Sequence, residues 1–111
     1  MTEQAKKFLV DILSAIESIE SFIEPVHSFN EYQNDLKTRS AVERQLAIIG
    51  EAVNKFDRQF PDHSLKNAGK IISVRNRLIH AYDNIDNSII WAILQNHLEG
   101  LKQEVLNKLN V

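Results

Sequence analysis

The sequence predicts an all-α fold on three observations: scarce turn residues, apolar positions spaced at helical intervals, and an ordinary globular composition. Only 3 Gly and 2 Pro occur in 111 residues, too few for the hairpins of a sandwich or barrel. Apolar residues recur at three- and four-residue steps over long stretches, the period of an amphipathic helix. At 43% hydrophobic and 25% charged residues, the chain has enough apolar surface to offset its ordering entropy. One domain over residues 1–111 fits this length. Few, short connections favour an antiparallel four-helix up-and-down bundle, with room for one extra short helix around residues 63–70.

The first helix is read over Glu3–Glu24, where Phe8, Ile12, Ile16, Ile19 and Ile23 form one stripe. Pro25 ends it, and Ser28 or Asn30 caps a restart. Tyr32, Leu36, Val42, Leu46, Ile49, Val53 and Phe56 then extend a single long second helix. Gly50 lies inside it at a cost of about 1 kcal/mol relative to Ala, which a close approach by another helix would offset. After the loop cluster at Pro61–Ser64, Ile71, Ile72, Val74, Leu78 and Ile79 mark a shorter third helix. Asp83, Asn84, Asp86, Asn87 and Ser88 supply a turn and a cap before Ile90, Leu94, Leu98, Leu101, Val105 and Leu109 in the fourth.

Composition removes several function classes. With no cysteine, disulfide frameworks, thiolate metal sites and cysteine nucleophiles are excluded together. No run of about 18 apolar residues occurs, and the start MTEQAKKFLVDIL becomes charged again at Asp11, so no membrane association and a cytoplasmic location are expected. Net charge is −2. A nucleic-acid partner would therefore need a local basic site rather than a global field.

Such a site is visible. Lys66, Lys70, Arg75 and Arg77 give +4 between Lys66 and His80 with no acid, whereas residues 1–60 hold 7 bases and 10 acids. Arg is the side chain best shaped for bidentate contact with phosphate oxygens, although a solvated helix face explains the charge alone. The histidines at 27, 63, 80 and 97 show neither a HExxH pattern nor the close pairing of a zinc or di-iron site, so no metal or other cofactor is indicated. His27, His63 and His97 read as solvated. His80 closes KIISVRNRLIHAYDN, with Arg75, Asn76, Arg77 and Tyr82 within eight residues. Asn76 and His80 share a helix face, while Arg75 and His80 stand about 140° apart. The last two can converge on one phosphate only if the helix bends or ends near His80, or if two chains pool their residues.

Arg75, Asn76, His80 and Tyr82 spell R-N-x3-H-x-Y. With the IIGEA stretch at Ile48–Ala52, the leading amphipathic helix and Trp91 early in the last helix, the chain resembles the HepT-type toxins of the HEPN superfamily. It departs from their pattern at Ala68, where a tryptophan often stands, and at Ser73–Val74, where Gly-Met is common. The resemblance implies a metal-independent endoribonuclease with its cleft between two helical protomers of a homodimer. It also implies a toxin–antitoxin pairing with a minimal nucleotidyltransferase, and transfer RNA as a candidate substrate. In relatives of this kind the antitoxin can add AMP to the motif tyrosine, here Tyr82; a core or interface tyrosine is the competing reading.

The residue chemistry agrees. A histidine titrating near neutrality can accept the proton of an RNA 2′-hydroxyl, and an arginine can stabilise charge gathering on phosphorus. The expected roles are His80 as general base or acid, Arg75 as phosphate clamp and Asn76 as hydrogen-bond partner, with Lys70 and Arg77 as secondary RNA contacts. Glu51 could orient a basic residue, a buried or paired structural glutamate being the preferred reading. The alternative function is a non-catalytic HEPN binding or regulatory module that holds a nucleotidyltransferase. A structural helical homodimer with no RNA role is a third reading.

Overall fold

The computed structural model describes residues 1–110, apart from the side chain of Tyr82. Regular structure among them consists of α1 (Glu3–Ile23), α2 (Phe29–Gln33), α3 (Leu36–Gln59), α4 (Ala68–His80), α5 (Asn87–Asn96) and α6 (Leu98–Leu109). Two 3-10 turns, Pro61–His63 and Tyr82–Asn84, flank α4. Among the described residues, no helix is long and apolar enough to cross a membrane.

Short polar side chains fix most helix starts by accepting from otherwise orphaned backbone N–H groups. Thr2 Oγ1 accepts from the Ala5 N–H at 3.1 Å and Ser28 Oγ from the Glu31 N–H at 3.2 Å. Asp35 accepts from the Thr38 N–H at 3.0 Å, and Asp86 from the Ser88 N–H at 2.9 Å.

The all-helical class holds, but six helices form among the described residues where four were expected. The long second helix is broken at Asn34–Asp35. There the Asn34 amide donates to the Asn30 carbonyl at 2.9 Å, and Asp35 takes both the backbone N–H and the hydroxyl of Thr38. Short polar side chains compete in this way with the helix's own ladder. Leu36, counted in the apolar stripe, follows the break and is 67% exposed. The fourth helix is divided at His97, whose backbone leaves helical values (φ −126°, ψ −21°) without a capping side chain. The extra helix allowed around residues 63–70 does not form: a 3-10 turn occupies Pro61–His63, and α4 begins at Ala68.

Helix α3 is central, its backbone coming close to both α1 and α4, while α6 lies along α1 and α5 meets α2 and α6. The core joins Ile12, Ile16 and Ile19 of α1 to Val42, Ile49, Val53 and Phe56 of α3, closed by Leu78, Leu94 and Val105. Tyr32 is fully buried and packs on Trp91 with ring centroids 5.5 Å apart, which seats α2 on α5. Polar ties complete the frame: Lys102 pairs with Glu20 at 3.0 Å across α6 and α1, and Glu104 accepts from the Lys66 N–H at 2.8 Å ahead of α4.

One glycine sets the spacing of α3 and α4. A Cβ added to Gly50 would overlap the Arg75 Cβ and lie 2.7 Å from its Cγ. The Arg75 stem therefore occupies the volume that any other residue at position 50 would fill. Replacing Gly50 by Ala would add about 1 kcal/mol of helix propensity, against an overpacking cost of about 1–3 kcal/mol. The overlap involves the first side-chain carbons, which cannot swing aside as a side-chain end can. Gly50→Ala is expected to lower the thermal unfolding midpoint; an unchanged or raised midpoint would contradict the packing described.

The α3 cap adds a pH-dependent prediction. The hydroxyl and backbone N–H of Thr38 hold the Asp35 carboxyl below its ordinary range. A lowered folded-state value contributes stability above the unfolded pKa of about 4, lost as pH falls through the folded value. Asp35→Ala is therefore expected to unfold below wild type at neutral pH, the gap closing as both are acidified below about pH 4. A gap of constant size throughout would assign the loss to something other than the charged cap.

Candidate active site

Helix α4 buries Leu78 and Ala68 in the core and leaves Lys70, Ser73, Asn76, Arg77, Ile79 and His80 exposed. The basic face expected from the sequence is therefore solvent-facing along one helix, continued by exposed Lys66 just before it. Arg75 is the exception. It points towards α3 over Gly50, and its side chain is only 23% exposed.

The guanidinium of Arg75 is held at two points. Nη2 meets Glu51 Oε2 at 2.7 Å across the helix pair, and Nη1 donates to Asn76 Oδ1 at 3.0 Å. Its Nε is buried and has no partner among the described residues. A guanidinium offers five N–H donors, so the two contacts leave donors free for an anion. The second oxygen of Glu51, Oε1, faces Lys55 Nζ at 3.5 Å.

Beside Arg75 runs an open groove of about 690 Å³, with α3 between α1 and α4. Phe8 and Asp11 of α1, Ile48 and Glu51 of α3, and Arg75 and Ile79 of α4 are among its lining residues. Ile79, expected in the buried stripe, is 44% exposed here, and Ile48 is 37% exposed. Arg44 and Lys55 add positive charge to the groove, Asp11 and Glu43 negative. Burial raises the Glu43 carboxyl above its usual range, which nearby Arg39 partly counters.

The expected site residues thus divide. Arg75 and Asn76 come together, with Asn76 engaging the arginine beside it instead of serving only the His80 side of the helix. His80 is the last residue of α4, exposed and outside the groove's lining. Lys70 and Arg77 stand on the solvent face; the Ser88 hydroxyl and backbone N–H hold the nearby Asp86 carboxyl below its usual range, with a smaller contribution from the Arg77 charge. The Tyr82 side chain lies outside the described residues. Glu51 is a paired glutamate, and its cations are Arg75 and Lys55. Sequence reasoning missed Arg44 and Lys55. The signal was present, since positions 44, 48, 51 and 55 recur at helical spacing on one face of α3.

Comparison with known proteins gives the same family as the motif. The family described as Ribonuclease HepT-like matches residues 12–107. "Putative RNase MJ1380" of Methanocaldococcus jannaschii is 36% identical over 104 residues, covering 90% of this chain and 92% of the relative. "Probable ribonuclease HepT" of Thermococcus cleftensis is 36% identical over 106 residues, covering 92% and 93%. No solved structure gives a significant match. A match over most of the chain and relatives of nearly equal extent lead to one conclusion: this chain belongs to the HepT-like ribonuclease family of the HEPN superfamily.

Proposed function

We propose that the protein is a metal-independent endoribonuclease that cleaves RNA, transfer RNA among its candidate substrates, and acts as the toxin of a pair whose antitoxin is a minimal nucleotidyltransferase. The observation that carries this reading is Arg75, fixed beside an open groove with guanidinium donors to spare.

In the proposed reaction the 2′-oxygen attacks the adjacent phosphorus, the bond from phosphorus to the 5′-oxygen breaks, and the ends are a 2′,3′-cyclic phosphate and a 5′-hydroxyl. His80 takes the 2′-hydroxyl proton or delivers one to the leaving 5′-oxygen. Arg75 neutralises the charge gathering on the phosphate oxygens. Exposed Lys70 and Arg77 hold flanking phosphates, supported by their place on the same helix. The RNA supplies its own nucleophile, so no protein nucleophile is required.

One chain does not bring His80 to Arg75, so the reading needs a homodimer in which His80 of the partner subunit faces the groove. Two features of the groove support a second copy. It exposes isoleucines at 48 and 79, and it carries both signs of charge, which lets a surface complement itself about a two-fold axis. Tyr82 is the candidate for AMP addition by the antitoxin. A non-catalytic module that docks a nucleotidyltransferase remains the competing reading, because the Glu51–Arg75 pair would also suit a structural arginine.

Purified protein incubated with transfer RNA in EDTA is expected to yield cyclic-phosphate ends. His80→Ala and Arg75→Ala should each lower the rate by about a hundredfold or more. An inert wild type that still binds a nucleotidyltransferase would establish the docking module instead. Light scattering should report about twice the chain mass of 12.8 kDa, and a monomer at working concentration would overturn the composite site.

A further inference from the structure

We propose that Glu51 is a positioning residue for RNA cleavage, fixing the plane of the Arg75 guanidinium so that its unused N–H groups face the scissile phosphate; this rests on the nuclease reading above. Both terminal nitrogens of Arg75 are engaged, Nη2 by Glu51 at 2.7 Å and Nη1 by Asn76 at 3.0 Å. Asn76 is the next residue on the same helix and shares the motion of α4. Glu51 belongs to α3 and is the only one of these two partners that ties the guanidinium to a second helix. Two anchors on different helices fix the orientation of a planar group, whereas one leaves it free to pivot.

The local sequence supports that task. Gly50 lets the Arg75 stem lie against the α3 backbone, and Glu51, the next residue, meets the far end of the same side chain. Lys55 holds the other Glu51 oxygen one turn further along. Side-chain exposures of 23% for Arg75 and 39% for Glu51 place the pair at the groove surface, where ion pairs add little stability. Its main effect is therefore geometric.

This role has a kinetic signature. A carboxylate beside a phosphate site repels bound RNA, so Glu51 weakens ground-state binding while it orients the group that stabilises the transition state. Removing it should lower kcat and leave KM unchanged or smaller.

The test compares Glu51→Ala and Glu51→Gln, alone and with Arg75→Ala, in the intact protein. Glu51→Ala is expected to lower kcat about ten- to a hundredfold without raising KM. Glu51→Gln, which keeps an acceptor oxygen, should recover part of the rate. In an Arg75→Ala background either change should lower kcat no further, because the two residues act as one unit in orienting the guanidinium. A wild-type kcat in Glu51→Ala, or an equal loss with and without Arg75, would overturn the proposal. Nitrogen-edited NMR of the Arg75 guanidinium separates this inference from the nuclease reading. Restrained terminal nitrogens in wild type that become averaged in Glu51→Ala support the positioning role even if no RNA is cut, in which case the nuclease reading alone fails. Averaged nitrogens in wild type overturn the positioning role whatever the activity.

Discussion

The contact on which the site depends is the seating of the Arg75 stem on Gly50. A side chain at position 50 would push α4 away from α3, and the Arg75 guanidinium would lose its reach to Glu51. The short distance between two helix backbones thus becomes the position of one charged group. Burial of Leu78 three residues later locks the register of α4 against the core. Local packing and the candidate chemistry are consequences of the same approach.

The charge distribution follows from that arrangement. The chain carries a net charge of −2, yet exposed Lys66, Lys70 and Arg77 line α4 and the turn before it, where no acidic residue stands between Lys66 and His80. Arg75 is drawn out of this face and given an anionic partner. In the proposed function the helix separates two tasks: solvent-facing cations attract a polyanion at range, and one restrained guanidinium serves a single phosphate. The groove beside it mixes Asp11 and Glu43 with Arg44 and Lys55, a pattern that suits contact with another protein surface better than a long nucleic-acid backbone.

Much of the fold was legible in the sequence. The α1 stripe, the stop at Pro25, the Ser28 cap and the start of α5 after Asp86 all follow from periodicity and capping chemistry. Breaks inside a continuous apolar stripe were not. Asn34–Asp35 interrupts the ladder through local hydrogen bonds while Tyr32 and Val42 still face the core on either side, so periodicity bridged the gap. The turn at His97 has no capping side chain to announce it. At the site, the motif singled out Arg75 and Asn76, and Gly50 was read as a point of close approach. Which helix would approach, and that Glu51 would meet Arg75, depended on how α3 and α4 pack, which residue spacing along one helix does not contain. The exposure of Ile79 was hidden for the same reason: its spacing matches the buried stripe, but it lines the open groove shared with Phe8 of α1 and Ile48 of α3.

The proposed function needs Arg75 and His80, about 140° apart on one helix, to meet in a site completed from a second chain. The most direct measurement is subunit complementation, in which Arg75→Ala and His80→Ala chains, each inactive alone, are co-expressed and assayed on RNA together. Shared sites predict recovery of up to about a quarter of the wild-type rate, since half of randomly paired dimers are mixed and each mixed dimer rebuilds one of its two sites. No recovery in mixed dimers shown to have formed would place Arg75 and His80 in separate functions and contradict the account.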